Sequence, residues 1–433
     1  MTLRPVVASL AGVLLLGIIG AVSVIVLQYV HDPGSAIASV AVADRSGQIE
    51  RGRALALAAN CMGCHTKRGG AAYAGGRVIP TPFGELYSPN ITADPTDGIG
   101  AWSADAFWRA LHNGKSRDGR FLYPAFPYTD YTKISRPDAD AMYAFFQTVT
   151  PVAQANLAPA LRFPFNQRFL LAGWRALYFR PGVFQADPAR SVQWNRGAYL
   201  VQGAGHCNAC HANRNMVGAT GNGTDLAGGL IPVLGWYAPS LTSSQESGLG
   251  NWSTRDIVDL LRTGVSARGA VFGPMAEVVS GSLQHIAESD LTAMAVYLQS
   301  LPATAPGDGV VQALALTDTE QRLQQRGATL YRDQCAACHQ EDGRGAPPAY
   351  PPLAGNQAIT TVSSINAIRM VLNGGYPPAT TGNPRPYGMP PFGPVLNDDD
   401  VAAVVTYVRS AWGNRAVPVS APEVRRYRAA PAE

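Results

Sequence analysis

Three short stretches hold all six cysteines of this 433-residue chain: "CMGCH" (Cys61, Cys64, His65), "CNACH" (Cys207, Cys210, His211) and "CAACH" (Cys335, Cys338, His339). Two thiols one helical turn apart can form two thioethers along one edge of a porphyrin. The histidine that follows then points beneath the ring, where its imidazole ligates iron. The pattern predicts three covalently bound haem c groups. Two other chemistries use the same residue types. A zinc knuckle needs four ligands with a second pair at matched spacing, and no further cysteine exists. A redox dithiol would not occur three times with the same trailing histidine.

A sixth ligand completes most haem c irons, and a methionine thioether, soft and neutral, favours Fe(II) and raises the potential. Met275 in "VFGPMAEV" and Met389 in "PYGMPPFG" lie at matching places and are the expected distal ligands, both on loops. Met142, Met294 and Val404 coincide when the closing helices are overlaid, which marks a helix core position. Met216 and Met370 have no counterparts and read as packing residues. The first motif has no such partner, because the comparable stretch is "FLYPAFPY", with Ala125 and Phe126 at the expected place. Its iron is then five-coordinate under Phe126, or takes His112, or takes a side chain from elsewhere. His112 overlays Arg262 at a helix end, which favours a surface or propionate role over ligation.

The elements that must position these residues repeat along the chain. Each unit opens on a helical run into its motif: "RGRALALAANCMGCH", "RGAYLVQGAGHCNACH" and "RGATLYRDQCAACH". Each closes on an apolar-periodic helix with an acidic start: "RPDADAMYAFFQTV", "AESDLTAMAVYLQSL" and "LNDDDVAAVVTYVRSAW". Aspartates there are expected to satisfy free N–H groups and complement the helix dipole. In the first two units "GIGAWSADAFWRALHNGKSRDG" matches "GLGNWSTRDIVDLLRTGVSARG", each a Ser-capped helix ending at glycine. The expected fold is all-α, with domains at 48–152, 191–304 and 319–415. Residues 153–190 form an interdomain segment whose apolar, arginine-containing second half packs between neighbours. "PATAPGDG" (Pro302 to Gly309) reads as a linker, and 416–433 as an exposed tail.

A formal charge of +4 falls far short of the clustered basic footprint of a nucleic-acid binder. At the N-terminus, Pro5 to Val30 contains no charged residue and is long enough to cross a bilayer, so 1–31 is expected to be a transmembrane anchor. A signal peptide cleaved at "AVA" (Ala41 to Ala43) is the competing reading, but the apolar run is longer than such peptides carry. Arg4 favours the inside, so either reading sends the haem domains to the periplasmic side of the inner membrane.

The stretches "TPFGELYSPNIT", "YPAFPYTDY", "FPFNQRFLLAGWRALYF", "WNRGAYLVQGAGHCNACHANRN", "GWYAPSLT", "GPMAEVV" and "VVTYVRSAWGN" resemble the triple-haem cytochrome c subunits of bacterial membrane-bound dehydrogenases, from about residue 45 to 415. The resemblance implies three tandem class I cytochrome c domains that relay electrons from a catalytic subunit to the respiratory chain, typically ubiquinone. It also implies that the chain is no enzyme by itself. Partners in the family are quinoprotein alcohol dehydrogenases, flavin sugar dehydrogenases, and molybdopterin enzymes with a small iron–sulfur subunit. The alcohol branch typically reads "YPAMPY", so "YPAFPY" resembles the molybdopterin aldehyde dehydrogenase branch more closely. Two further readings compete: a peroxidase-like catalytic haem protein, and the cytochrome subunit of a terminal oxidase.

Overall fold

The computed structural model describes residues 3–31, 44–221, 225–243, 248–303 and 317–429. The linker stretch from residue 304 onward and the "AVA" site lie outside the described residues.

Each opening helix crosses the closing helix of its own repeat. Arg45–Ala58 packs on Arg136–Phe146, Val192–Tyr199 on Glu288–Gln299, and Asp318–Gln334 on Asp398–Ser410. The repeated Arg-Gly step makes the crossing. A Cβ on Gly52, Gly197 or Gly327 would lie 1.9, 1.9 and 2.1 Å from the carbonyl oxygens of Ala141, Ala293 and Ala403. Only a residue without a side chain lets two helix backbones approach so closely. The preceding arginine then spans the crossing: Arg51 pairs with Asp138 at 2.5 Å, Arg196 with Asp290 at 2.7 Å, and Arg326 with Asp400 at 2.6 Å.

The acidic starts serve the expected end in part, and a second one as well. Ser135 and Asn397 supply the cap oxygens of the first and third closing helices, and Ala287 in the second offers none. Asp400 accepts from the Asn397 N–H and completes a capping box, while Asp138, Asp290 and Asp400 also reach sideways to the arginines. The middle helices form as read: Ser103 and Ser253 cap Ala104–Asn113 and Thr254–Thr263, which end at left-handed Gly114 and Gly264.

The fold is largely helical and not purely so. Val78–Thr81 pairs with Gly84–Tyr87, which also pairs with Ala160–Leu161; Gly229–Ile231 pairs with Trp236–Ala238, and Val265–Ser266 with Gly269–Ala270. These hairpins are too short to show period-two alternation in sequence. A second correction concerns the tail. Residues 421–428 form a helix that packs on the third closing helix, with Val419 and Val424 2% and 0% exposed. Arg425 and Arg428 both pair with Asp398.

Two apolar cores hold the described residues together. One runs without a break through the first and second repeats, from Leu55 and Met142 to Met294 and Leu298. The other belongs to the third repeat, around Tyr331, Ile368 and Val404. Met142, Met294 and Val404 are all buried, as their shared register requires.

Candidate functional site

Each motif sits on a short turn of helix: Cys61–His65, Asn208–His211 behind Cys207, and Ala336–His339 behind Cys335. None of the six cysteines is in a disulfide. Burial pushes the Cys61 and Cys207 thiols up to about 12 and Cys335 to about 11. A redox dithiol needs the opposite shift, toward a stable thiolate.

The histidines are oriented by one device used three times. His65 Nδ1 donates to the carbonyl of Pro89 at 2.7 Å, His211 Nδ1 to Pro239 at 2.7 Å, and His339 Nδ1 to Pro351 at 3.0 Å. A carbonyl can only accept, so Nδ1 carries the proton and Nε2 is left as the ligating atom. Desolvation also lowers the pKa of all three, which keeps the imidazoles neutral as iron ligation requires. The donor set fits covalent haem c at each motif: two sulfurs on one turn, and one imidazole nitrogen of fixed tautomer. The proline acceptors escaped sequence reading because they lie 24, 28 and 12 residues from their histidines. Their signal was the recurrence of "YSPNIT", "YAPSLT" and "YPPLAG" after each motif.

Met389 lies on a loop, as expected, and is pinned there. Its N–H donates to Gly375 at 2.8 Å and its carbonyl accepts from Gly375 at 3.0 Å. Gly374 (φ +64) makes room, since a Cβ there would lie 2.3 Å from the Met389 oxygen. Met275 departs from expectation. It occupies the first turn of a helix, Pro274–Gly281, which proline at the first position starts. That helix packs against Cys61–His65 of the first repeat, so the second repeat's methionine and the first repeat's attachment turn are neighbours. Arg77 bridges them, donating to the Gly63 carbonyl and pairing with Glu277 at 2.6 Å.

In the first repeat Phe126 is half-buried, edge-on to Tyr131 with centroids 5.3 Å apart. His112 is not a surface residue: it is buried, stacked on Trp108 at 4.4 Å, and its Nδ1 donates to the Thr132 carbonyl at 3.0 Å. Helix-end position suggested exposure, and the apolar neighbours Trp108 and Leu111 carried the stronger signal. Met216 is 95% exposed and packs nothing, against expectation. His206 drew no notice in sequence, yet its ring lies 5.3 Å from Tyr131 and joins the first repeat to the turn before Cys207.

Residues 49–150 and 324–412 match the cytochrome c family profile. The chain is 45% identical over 375 residues to one of the subunits of nicotinate dehydrogenase from Pseudomonas putida, covering 84% of this chain and about 30% of that relative's length. It is 41% identical over 397 residues to the cytochrome c subunit of the quinone-linked alcohol dehydrogenase of Gluconobacter oxydans, covering 88% and 82%. The gluconate 2-dehydrogenase cytochrome c subunit of Pantoea cypripedii is 40% identical over 404 residues, covering 88% and 89%.

Proposed function

Because the chain belongs to the family of dehydrogenase cytochrome c subunits, we propose that it is the tri-haem electron-transfer subunit of a membrane-bound dehydrogenase. The observation that carries this reading is the threefold recurrence of cysteine pair, histidine and proline carbonyl on three similarly crossed helix pairs. Haem c, when bound, supplies one-electron exchange between Fe(III) and Fe(II). The chain's own part is to tether through Cys61, Cys64, Cys207, Cys210, Cys335 and Cys338. It presents Nε2 of His65, His211 and His339, and brings the sulfurs of Met275 and Met389 to the second and third sites. The packed repeats exclude water and keep the three sites in fixed relation, the second touching both neighbours. Bond-breaking chemistry belongs to a separate catalytic subunit.

For that partner the "YPAFPY" variant favours a molybdopterin and iron–sulfur dehydrogenase acting on aldehydes or N-heterocycles. A relative named for nicotinate is consistent with this choice. A quinoprotein alcohol or flavin sugar dehydrogenase is the second reading, favoured by the relatives named for alcohol and gluconate. Ubiquinone is the proposed acceptor, with the haem units on the periplasmic face.

The N-terminal helix supports an uncleaved anchor. Its apolar stretch Gly12–Val30 is exposed along its length, while its end is gripped by the first repeat. Buried Lys115 donates to the carbonyls of Tyr29 at 2.9 Å and His31 at 3.3 Å, and Tyr29 rests on Phe121 at 4.2 Å. Cleavage after residue 43 would remove all of these contacts.

The experiment is intact mass spectrometry of the mature membrane protein with sequencing of whatever large subunit co-purifies. Polypeptide plus three haems, with a molybdopterin-binding subunit alongside, is the expected result. Fewer than three haems, or a copper–haem oxidase core as the partner, overturns the proposal.

A further inference from the structure

The seam between the second and third repeats contains a buried arginine with no acceptor for its Nε among the described residues. Arg369, on the helix Ile365–Asn373, is 5% exposed and makes no hydrogen bond or ion pair with them; its Nε is buried and unsatisfied. Its one contact of note is with the second repeat, where its guanidinium carbon lies 4.8 Å from the Trp236 ring centroid. Trp236 Nε1 is likewise buried without an acceptor. The seam itself is well bonded on both sides of the pair. Asn366 donates to the Tyr237 carbonyl at 2.8 Å and accepts from the Tyr237 N–H at 2.9 Å, and Gln357 donates to the Ser240 carbonyl at 3.2 Å.

Arginine does not deprotonate in proteins, so burial cannot neutralise it as it does lysine. Buried N–H groups are satisfied in the great majority of cases, and here neither the Arg369 Nε nor the Trp236 Nε1 is. Two groups that can only donate, brought together inside a bonded seam, define a site for an oxyanion. A guanidinium fork and a single indole N–H match a planar carboxylate.

The position says which carboxylate. The Trp236 ring lies against the backbone of Gly273 (φ +55), where a Cβ would come within 2.6 Å of Cε2. Gly273 is two residues before Met275, the sulfur assigned above to the second site, while Arg369 belongs to the third repeat. We propose that Arg369 and Trp236 together hold a haem propionate across this seam, so that the third repeat supplies a binding and potential-setting residue to a haem tethered in the second. The inference rests on the tri-haem reading above.

The test uses the full-length holoprotein carrying Arg369→Gln, Arg369→Lys or Trp236→Phe, after mass spectrometry has counted haems in the wild type. A wild type without three haems defeats the tri-haem reading and is recognised before any variant is compared. With three haems in place, Arg369→Gln is expected to lower one midpoint potential and leave the other two unmoved, since loss of a nearby cation favours Fe(III). The same haem's propionate bending band shifts in resonance Raman spectra. Trp236→Phe moves the same haem by less, and Arg369→Lys by an intermediate amount, so the site remains testable where Arg369→Gln fails to fold. Unchanged potentials and Raman bands in variants that retain three haems overturn the proposal. A wild-type potential that moves on titration with inorganic phosphate, and ceases to move in Arg369→Lys, overturns it in favour of a free anion.

Discussion

Phe126 stands where the other two repeats offer sulfur. A phenyl ring has no lone pair to give iron, and this one is braced by Tyr131, whose hydroxyl donates to the Ala59 carbonyl at 3.0 Å. If the chain holds three haems as proposed, then, since thioether ligation raises the potential, the haem of the first repeat should titrate lowest, and Phe126→Met should raise it toward the others. Spectroelectrochemical titration decides; three equally high wild-type midpoints would contradict the assignment. Asp130, four residues on, gives a second residue-scale prediction. Burial pushes its carboxyl from 3.8 up to about 7. The folded state then holds a proton that the unfolded state has released, so stability falls as pH rises from about 4 to about 7. Asp130→Asn should flatten that fall. Urea unfolding at a series of pH values checks it, and identical pH slopes for variant and wild type would refute it. At this scale the cysteines, histidines and Met389 were legible as candidates because type and spacing carry the chemistry. His206 and the three prolines were not, because what they touch is set by loops of unequal length.

The helix crossings explain why the Arg-Gly step recurs before every motif. At Gly52, Gly197 and Gly327 an alanine methyl would drive into a backbone carbonyl, which no side-chain rearrangement relieves. Each Gly→Ala change should therefore cost about 3 kcal/mol, the upper end for overpacking. Gly173→Ala is the internal control. Its helix, Leu171–Tyr178, leaves nothing within 4 Å of the new methyl, so the substitution should be neutral or stabilise by about 0.5–1 kcal/mol. Thermal unfolding of the four variants separates the two outcomes. A crossing glycine that accepts alanine freely would show that the helices slide apart without loss. The opening and closing helices and the Ser-capped middle helices were readable from periodicity, caps and terminal glycines, which are local signals. The hairpins, the Met275 helix and the C-terminal helix were not. They are short, and each is fixed by contacts that local sequence does not show: Trp236–Ala238 and the Met275 helix pack on another repeat, and Val419 and Val424 lie in the core of the third closing helix.

Across the whole molecule, repetition in sequence does not translate into three equal folding units. The first and second repeats share one continuous core, and their contact is reinforced by polar groups. Tyr199 of the second donates to Asp138 of the first, and Ser282 Oγ donates to the Leu57 carbonyl at 2.6 Å. Asp138 also holds Arg51, so one carboxylate serves both the crossing within the first repeat and the seam to the second. The third repeat has its own core and meets the second through backbone-directed hydrogen bonds and the Arg369–Trp236 contact. A shared apolar core couples its parts, whereas a mostly polar seam leaves neighbours free to unfold apart. Calorimetry of the holoprotein should therefore resolve two transitions and not three. Tyr199→Phe removes the hydroxyl that joins the first two repeats and leaves Asp138 short of one donor. It should lower the transition those repeats share by about 1–3 kcal/mol and leave the other in place. Three separate transitions in the wild type, or a Tyr199→Phe effect confined to the second repeat, would mean that the continuous core does not act as one cooperative body.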